Sequence, residues 1–474
     1  MRGNAFVYRF GAFELDPASR RLVSGAERVR LTEPQLSLLL HLVSHAPQIV
    51  DKNALARAGW GGTTSDENLQ QAISRLRRAL SERGGPTFVE AVRNEGYRFV
   101  APIERRESEH PIAALGLDSE PLRAFLQGRR DLATLKLDAI EQARRGFEKM
   151  LQHNADYAPA HTSLAHACAL VFEASRVDEK CDMDALSQAV DHARVATMLD
   201  PASADGWSTL GFVLSLTGDA EAATVAALKA VAIDRATWRH QLRLAFVTWG
   251  DERIDAAQSA LALRPDLALA CWLKATVFVA RGAFEPALTD LQAGCAAQDR
   301  QKTVPGDYPA IGLHLLRGLV LAAQERLAEA EDEFVAELAG SDRGQLYWRE
   351  CAANTWYARG AVRARRGQIR DANAAFERAL EIAPGHLFSL AALARPLPAL
   401  APADPRAANV VVARSVALAR AGRHRDAAEI YRGALASGHR AHAGWILPVE
   451  PILHVSARTD IWDDILAIVR ERAT

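Results

Sequence analysis

The chain has 474 residues, 49% of them apolar, with a formal net charge of -1. That length is too great for one ordinary core, so two or more domains, or one compact domain with an extended array, are expected. The near-zero total hides an asymmetry: residues 1–105 hold 15 Lys and Arg against 11 Asp and Glu, or +4, which leaves -5 for the rest and places any nucleic-acid surface at the N-terminal end.

Five scattered cysteines (Cys168, Cys181, Cys271, Cys295, Cys351) are odd in number and lack CxxC or His-paired spacing. That argues against a disulfide framework or a zinc site, and they read as reduced core thiols. Met1 to Phe10 contains no apolar core of signal-peptide length, and charges such as Lys274 and Arg317 break the longest apolar stretches. The expectation is a cytoplasmic protein with no membrane segment and no cofactor.

From Tyr8 to Leu31, short extended runs (Tyr8 to Phe10, Phe13 to Leu15, Arg28 to Leu31) alternate with the turn-formers Asp16-Pro17 and Ser24-Gly25, predicting a small antiparallel sheet. A first helix comes next, with a capping box of Thr32 and Gln35, Pro34 in its first turn, and apolar Leu36, Leu39, Leu40 and Val43 up to about His45. Asp51 can cap a second short helix ending at Gly59, before Trp60. A third helix, with a capping box of Thr64 and Glu67, repeats Leu69, Ala72, Ile73, Leu76 and Leu80 at helical spacing.

Opposite that stripe lie Asn68, Gln71, Arg75 and Arg78, flanked by Gln70, Ser74 and Arg77. Such groups read base edges and phosphates: a guanidinium forks onto guanine, an amide pairs with adenine, a hydroxyl bonds phosphate. Alone, the face also fits a solvated amphipathic helix. Residues 88–100 favour the nucleic-acid reading, because the runs Phe88 to Arg93 and Tyr97 to Val100 flank the turn Asn94-Glu95-Gly96 and give the helix-helix-hairpin order of a winged helix.

At Leu31-Thr32, Gly59-Trp60-Gly61, Ile73-Ser74-Arg75-Leu76-Arg77-Arg78-Ala79-Leu80, Val92-Arg93 and Gly96-Tyr97-Arg98-Phe99, the sequence strongly resembles the OmpR/PhoB-type DNA-binding domain, over roughly residues 6–102. The resemblance implies that the third helix enters the major groove and the wing the adjacent minor groove of double-stranded promoter DNA. It makes Arg75 the main base-reading residue, Gln71 and Ser74 its neighbours and Arg93 the minor-groove probe; Trp60, Arg77, Arg78 and Tyr97 would hold phosphates or the wing. Asn94 and Glu95 at the wing tip, with Ala72 and Ser74, depart from the commonest pattern and bear on the target sequence. Relatives often carry a receiver domain, which needs roughly a hundred residues. None is expected before Tyr8, and the region after Pro102 lacks the acidic pocket and alternating strands, so aspartyl phosphorylation is not the expected switch.

The charged stretch Glu104 to Pro111 reads as a linker. Beyond it an alanine-rich helical sequence repeats. Residues 204–237 set Trp207, Leu210, Gly211, Gly218, Ala223 and Ala230 on the same ruler as Trp356, Gly360, Gly367, Ala372, Phe376, Ala379 and Pro384 of residues 353–386. This resembles the tetratricopeptide repeat, in which small residues recur where paired helices cross. About eight units are expected on that ruler, interrupted near Phe172 to Met183, Asp251 to Pro265, Arg300 to Pro309 and Arg395 to Pro405. Pro396, Pro398, Pro402 and Pro405 are a candidate split into two stacks.

The expected layout is a small α+β winged helix (1–103), a linker (104–119), an all-α repeat solenoid (120–394), a Pro-rich break (395–406) and a C-terminal repeat with its cap (407–474). Trp272, Asn354, Tyr357, Arg365, Asn409 and Arg420 project inward from first helices; they are a candidate groove for a peptide, a partner protein such as RNA polymerase, or a small ligand, and each alone also fits ordinary packing or solvated surface. Other chemistry finds little support. His41 and His45 have helical metal-pair spacing but lack a third ligand, so no metal is expected. No phosphate-binding loop, nucleophile elbow or HExxH occurs, and Asp332-Glu333 reads as a solvated face. An enzyme on the array would need converging titratable groups that the sequence does not display. The combination resembles HilA-like and CadC-like one-component regulators, although the latter place a membrane helix in the linker. A second copy of the chain is a candidate partner, since one winged helix supplies limited specific affinity. The alternative is an interaction scaffold whose winged helix binds protein, a reading opposed by Arg75, Arg77, Arg78 and Arg93.

Overall fold

The computed structural model describes residues 6–16, 21–25, 27–29, 31–60, 64–81, 88–92, 95–107, 120–303, 308–340, 344–400, 404, 406–437 and 444–474. The chain divides into two compact units, Met1–Leu122 and Arg123–Thr474.

In the first unit, β1 (Phe6–Phe10), β2 (Phe13–Asp16), β3 (Arg21–Ser24) and β4 (Glu27–Val29) form an antiparallel meander, and β8 (Glu104–Glu107) pairs along the free edge of β1. Phe13, Leu15 and Leu22 are buried from neighbouring strands, as strand alternation requires. The last strand corrects the expectation that the linker starts at Glu104. Its charged residues gave no apolar alternation, yet pairing with β1 uses only backbone groups, and charged side chains suit an edge strand.

α1 (Glu33–Ser44) starts as its capping box predicts, with Gln35 Oε1 accepting the Thr32 N–H at 2.9 Å. β5 (Ile49–Asp51) has too few residues to announce itself, and Asp51 Oδ1 then caps α2 (Lys52–Trp60) by accepting the Ala54 N–H at 2.9 Å. α3 (Asp66–Ser81) is capped by Ser65 rather than Thr64: Ser65 Oγ accepts the Asn68 N–H at 3.2 Å. Two adjacent hydroxyl residues offered either register, and Ser65 sets both Asp66 and Glu67 in the first turn, where the helix dipole favours acids.

β6 (Val89–Val92) and β7 (Gly96–Phe99) make the predicted hairpin, and β7 also pairs with β5. Gly96 has φ +146°, and a Cβ there would lie 2.0 Å from Val50 O, so only glycine allows this approach of the hairpin to β5. Phe10, Phe13, Phe88 and Phe99 pack together over Leu38, Leu39, Leu42, Leu55, Ile73 and Leu76. Each such side chain contributes about 2 kcal/mol by leaving water, which locks α3 by its apolar stripe and frees its other face.

The second unit is all helical. α4 (Glu120–Ala133) and α5 (Leu137–His153) lead into α6 (Ala158–Ser175) with α7 (Met183–Leu199), α8 (Ala204–Leu216) with α9 (Ala220–Ile233), α10 (Trp238–Val247) with α11 (Asp251–Leu263), and α12 (Ala268–Ala280) with α13 (Phe284–Thr303). α14 (Leu313–Ala323) pairs with α15 (Leu327–Gly340), and α16 (Trp348–Arg365) with α17 (Ile369–Ile382). Then come α18 (Leu387–Ala392), α19 (Ala407–Arg420), α20 (His424–Ser437) and α21 (Thr459–Arg472). A Cβ at Gly360 would meet the Phe376 ring at 2.4 Å, the close crossing that the small-residue positions anticipated. The five cysteines are free thiols.

Two features of this unit were not anticipated. Val410 and Ala413 share one core with Phe376 and Leu387, so apolar packing continues across the Pro-rich stretch and does not split the array into two stacks. The array also curls back on itself: Leu137 N–H donates to Gly344 O and Leu346 N–H to Leu135 O, both at 2.9 Å, while Tyr308 N–H reaches Ala133 O at 2.8 Å. Farther on, Arg406 Nη1 donates to Asp178 O at 2.7 Å.

Candidate nucleic-acid interface

The stripe Leu69, Ile73, Leu76 and Leu80 is buried, which turns Asn68, Gln70, Gln71, Ser74, Arg75 and Arg78 outward on α3, all exposed. Among the described residues, the side chains of Gln71, Ser74, Arg75 and Arg78 have no hydrogen-bond or ion-pair partner. Two guanidinium groups therefore stand beside an amide and a hydroxyl with their donors unspent, an arrangement suited to a polyanion with acceptor edges.

Arg77 and Tyr97 do something else. Arg77 Nε donates to Val89 O at 2.8 Å and its guanidinium lies 5.9 Å from the centre of the Tyr97 ring, which is itself buried. The pair fastens α3 to the hairpin and so sets where the wing stands relative to the helix. Across the hairpin, Arg98 forks onto Glu90 Oε2 at 2.8 and 3.0 Å, and Lys52 meets Asp66 at 2.5 Å beside the start of α3. Trp60 closes α2. Arg93, like Asn94, lies outside the described residues.

The six inward residues of the array are placed differently from the expected open groove. Trp272 packs edge-on against Trp445, with ring centres 5.7 Å apart. The Tyr357 hydroxyl donates to the buried carboxylate of Glu450, which also accepts the N–H groups of Ile452 and Leu453. Arg365 donates to Ala322 O at 3.0 Å and Glu325 at 2.7 Å, beside His454, which reaches the same carboxylate at 2.5 Å. Asn354 accepts from His386 Nε2 at 3.0 Å, and Arg420 Nε donates to Ala392 O at 3.3 Å. Asn409 is half-buried on α19.

Residues 444–474 thus sit on the face that the groove reading left open: Trp445, Glu450 and His454 take up Trp272, Tyr357 and Arg365. Near the end of the chain, Ala473 O accepts two N–H groups of Arg281 at 2.6 and 2.9 Å. Burial pushes the Glu450 carboxyl up to about 7, against the hydrogen bonds that pull it down. Sequence reasoning missed this residue because repeat rulers weigh helical positions, and Leu447-Pro448-Val449-Glu450-Pro451 lies between helices; the signal available was a lone acid among prolines and apolar residues.

Two further clusters bear on metals. His41 and His45 lie with ring centres 4.3 Å apart, but His45 Nδ1 donates to His41 O at 2.8 Å, closing the end of α1. In the array, ligand-type atoms of Cys295, His314 and Glu333 come within 4.8 Å of one another. His314 Nδ1 meets Glu333 at 2.7 Å and Arg317 meets the other oxygen of that carboxylate at 2.5 Å, so the group is internally paired. Glu333 is therefore no simple solvated acid, contrary to its sequence reading: α14 lies across it.

Comparisons with known proteins find a family match in each unit. Residues 26–99 match the family described as "Transcriptional regulatory protein, C terminal", and residues 353–386 match "Tetratricopeptide repeat". Phosphate regulon transcriptional regulatory protein PhoB of Escherichia coli (strain K12) is 30% identical over 95 residues, 20% of this chain and 42% of that protein. Transcriptional regulator HilA of Salmonella typhimurium is 32% identical over 83 residues, 17% of this chain and 15% of that protein. The chain thus spans less than half the length of the curated relatives it matches. Among solved structures, the Klebsiella pneumoniae RstA DNA-binding domain, in complex with RstA box, is 36% identical, covering 20% of this chain and 96% of that one at a TM-score of 0.18. Neither matching family is enzymatic, and among the described residues no helix is long and apolar enough to cross a membrane.

Proposed function

We propose that this chain, whose first unit is an OmpR/PhoB-type winged helix and whose second is a tetratricopeptide-repeat array, is a sequence-specific transcriptional regulator controlled through its repeats. The observation that carries the reading is the face of α3, where Gln71, Ser74, Arg75 and Arg78 are exposed and unpartnered among the described residues, opposite a locked apolar stripe. With α3 in the major groove, Arg75 forks onto a guanine edge, Gln71 and Ser74 contact the neighbouring base or phosphate, and Arg78 with Asn68 meets the backbone. The hairpin reaches the minor groove, with Arg93 as its probe.

Arg77 and Tyr97 act in this reading as the brace that holds wing to helix. The array receives the signal or partner, and two copies on paired half-sites supply the affinity that one module lacks.

Selection of genomic DNA fragments with the purified chain at two salt concentrations, beside Arg75→Ala, tests the assignment. Enrichment of one motif, weakened by salt and lost in the variant, is expected. No enrichment at either salt overturns it and favours a scaffold whose winged helix binds protein.

A further inference from the structure

Inside the array, two arginines of one helix pair show contrasting chemistry. Arg253 at the start of α11 is buried without a carboxylate, but each of its three guanidinium nitrogens has an acceptor: Nε donates to Ala245 O and Thr248 O at 3.0 and 2.9 Å, Nη1 to Thr276 at 3.1 Å and Nη2 to Phe246 O at 3.2 Å. Arg243 on α10 makes one hydrogen bond, from Nη2 to His166 Nε2 at 2.8 Å. Its guanidinium lies 3.9 Å from the centre of the Phe212 ring, and Nη1 is buried with no partner among the described residues.

A guanidinium carries five N–H donors, and a buried charge without acceptors is costly enough to need a reason. Solvent does not supply one at Nη1, although part of the side chain stays accessible. His166 does not balance the charge, since burial holds its ring neutral. The carboxylate within electrostatic reach, Asp205, makes no hydrogen bond to Arg243 and lies 3.6 Å from His240. What surrounds the group is aromatic: Phe212 carries His166 edge-on at 5.9 Å and Phe246 at 5.5 Å, and Tyr308 and Tyr347 stand within reach of the charge.

We propose that Arg243, with His166 and the rings of Phe212 and Phe246, forms a binding site inside the repeat array for a small organic anion. The ligand's carboxylate pairs with the guanidinium and its apolar or aromatic body lies along the half-buried Phe246, while the buried Phe212 ring backs the guanidinium. A planar fork with unspent donors matches a carboxylate bidentately, and aromatic walls with one fixed charge are the usual make-up of a small-molecule site. The site lies where α6, α8 and α10 come together, so an occupant bonds three successive units and couples their packing. This deepens the signal-receiving role proposed for the array and rests on that reading only for the consequence at DNA; binding is measured without DNA, so the two can fail separately.

The test uses the full chain with benzoate, acetate and inorganic phosphate as probes, measured by calorimetry and thermal unfolding, beside Arg243→Met and Arg253→Met. Benzoate is expected to bind saturably and raise Tm, acetate to bind about tenfold more weakly for want of apolar surface, and phosphate to bind more weakly than benzoate. Arg243→Met should lose benzoate binding by at least about tenfold while raising the ligand-free Tm, because it removes a charge held for a ligand; Arg253→Met should lower it. Absence of saturable benzoate binding, equal binding by Arg243→Met, phosphate as tight as benzoate, or a ligand-free Tm that falls in Arg243→Met as in Arg253→Met overturns the proposal.

Discussion

The outer face of α3 and the inner face of the repeat array are built from the same kinds of side chain, arginines with amides and hydroxyls, in opposite states. On α3 the donors of Arg75 and Arg78 have no partner among the described residues, whereas those of Arg281 and Arg365 are taken up by Ala473 O, Ala322 O and Glu325. An exposed guanidinium without a partner costs little, because water solvates it, and can be given to a polyanion. One inside a fold is either satisfied there, as Arg281 and Arg365 are, or held at a cost, as at Arg243 Nη1. Residue type therefore does not distinguish a binding face from an interior; the state of the donors does.

The sharpest way to break this contrast is through Glu450, on which the filled inner face turns. Its folded carboxyl titrates near 7 against an ordinary value of 4.5. The folded state thus binds the proton more tightly, so the stabilisation is full below about pH 4.5 and is lost as pH rises to about 7, on the order of 3 kcal/mol. Urea unfolding of the wild type and Glu450→Gln across that range should show the wild-type advantage shrinking by this amount. Parallel curves would mean that Glu450 is solvated and the inner face open.

Arg75→Ala tests the other side. Loss of a bidentate guanine contact is expected to cost about 2 kcal/mol at the selected site, with discrimination relaxed at one base position and unfolding unchanged. Titrations against the motif and single-base variants check it. A variant that weakens all sequences equally would make Arg75 a phosphate contact.

How much of the molecule was legible beforehand differed along the chain. The Thr32 and Asp51 caps, the α3 stripe and the hairpin could be read because each is local: a cap and its helix, or two strands and their turn, lie within a few residues. The repeat ruler worked for the same reason, placing Gly360 against Phe376 across one helix pair. What escaped was non-local or side-chain-blind. β8 pairs with β1 across about a hundred residues using backbone alone. Tyr357 meets Glu450 from a segment outside the ruler, and Arg77 looked like its neighbours Arg75 and Arg78 until Val89 O and Tyr97 were placed beside it.

Arg77→Ala exploits that last difference. Removing the hydrogen bond to Val89 O and the contact with Tyr97 is expected to destabilise the first unit by about 1 kcal/mol and to weaken DNA binding through the wing. Chemical unfolding of the first unit should therefore shift for Arg77→Ala and not for Arg75→Ala. An unshifted Arg77→Ala that still loses DNA would return Arg77 to the surface set.

Arg78→Ala has the smallest expected effect and separates the two roles within one helix. Arg78 is exposed on the same face as Arg75, one helical turn farther along, which in the proposed docking is where the helix leaves the groove and passes the phosphates. A phosphate contact contributes chiefly by releasing counterions, so with about four contacts per domain the slope of log affinity against log salt is near -4, and losing one should make it shallower by about 0.9. The loss should be equal for the motif and for unrelated DNA, and should fade as salt rises. The defect of Arg75→Ala, which lies in discrimination, should persist at every salt concentration. Anisotropy titrations of both variants over a salt series, on motif and scrambled duplexes, give the two slopes directly; if Arg78→Ala changes discrimination and leaves the slope alone, base reading extends to the end of α3 and the roles of the two arginines must be exchanged.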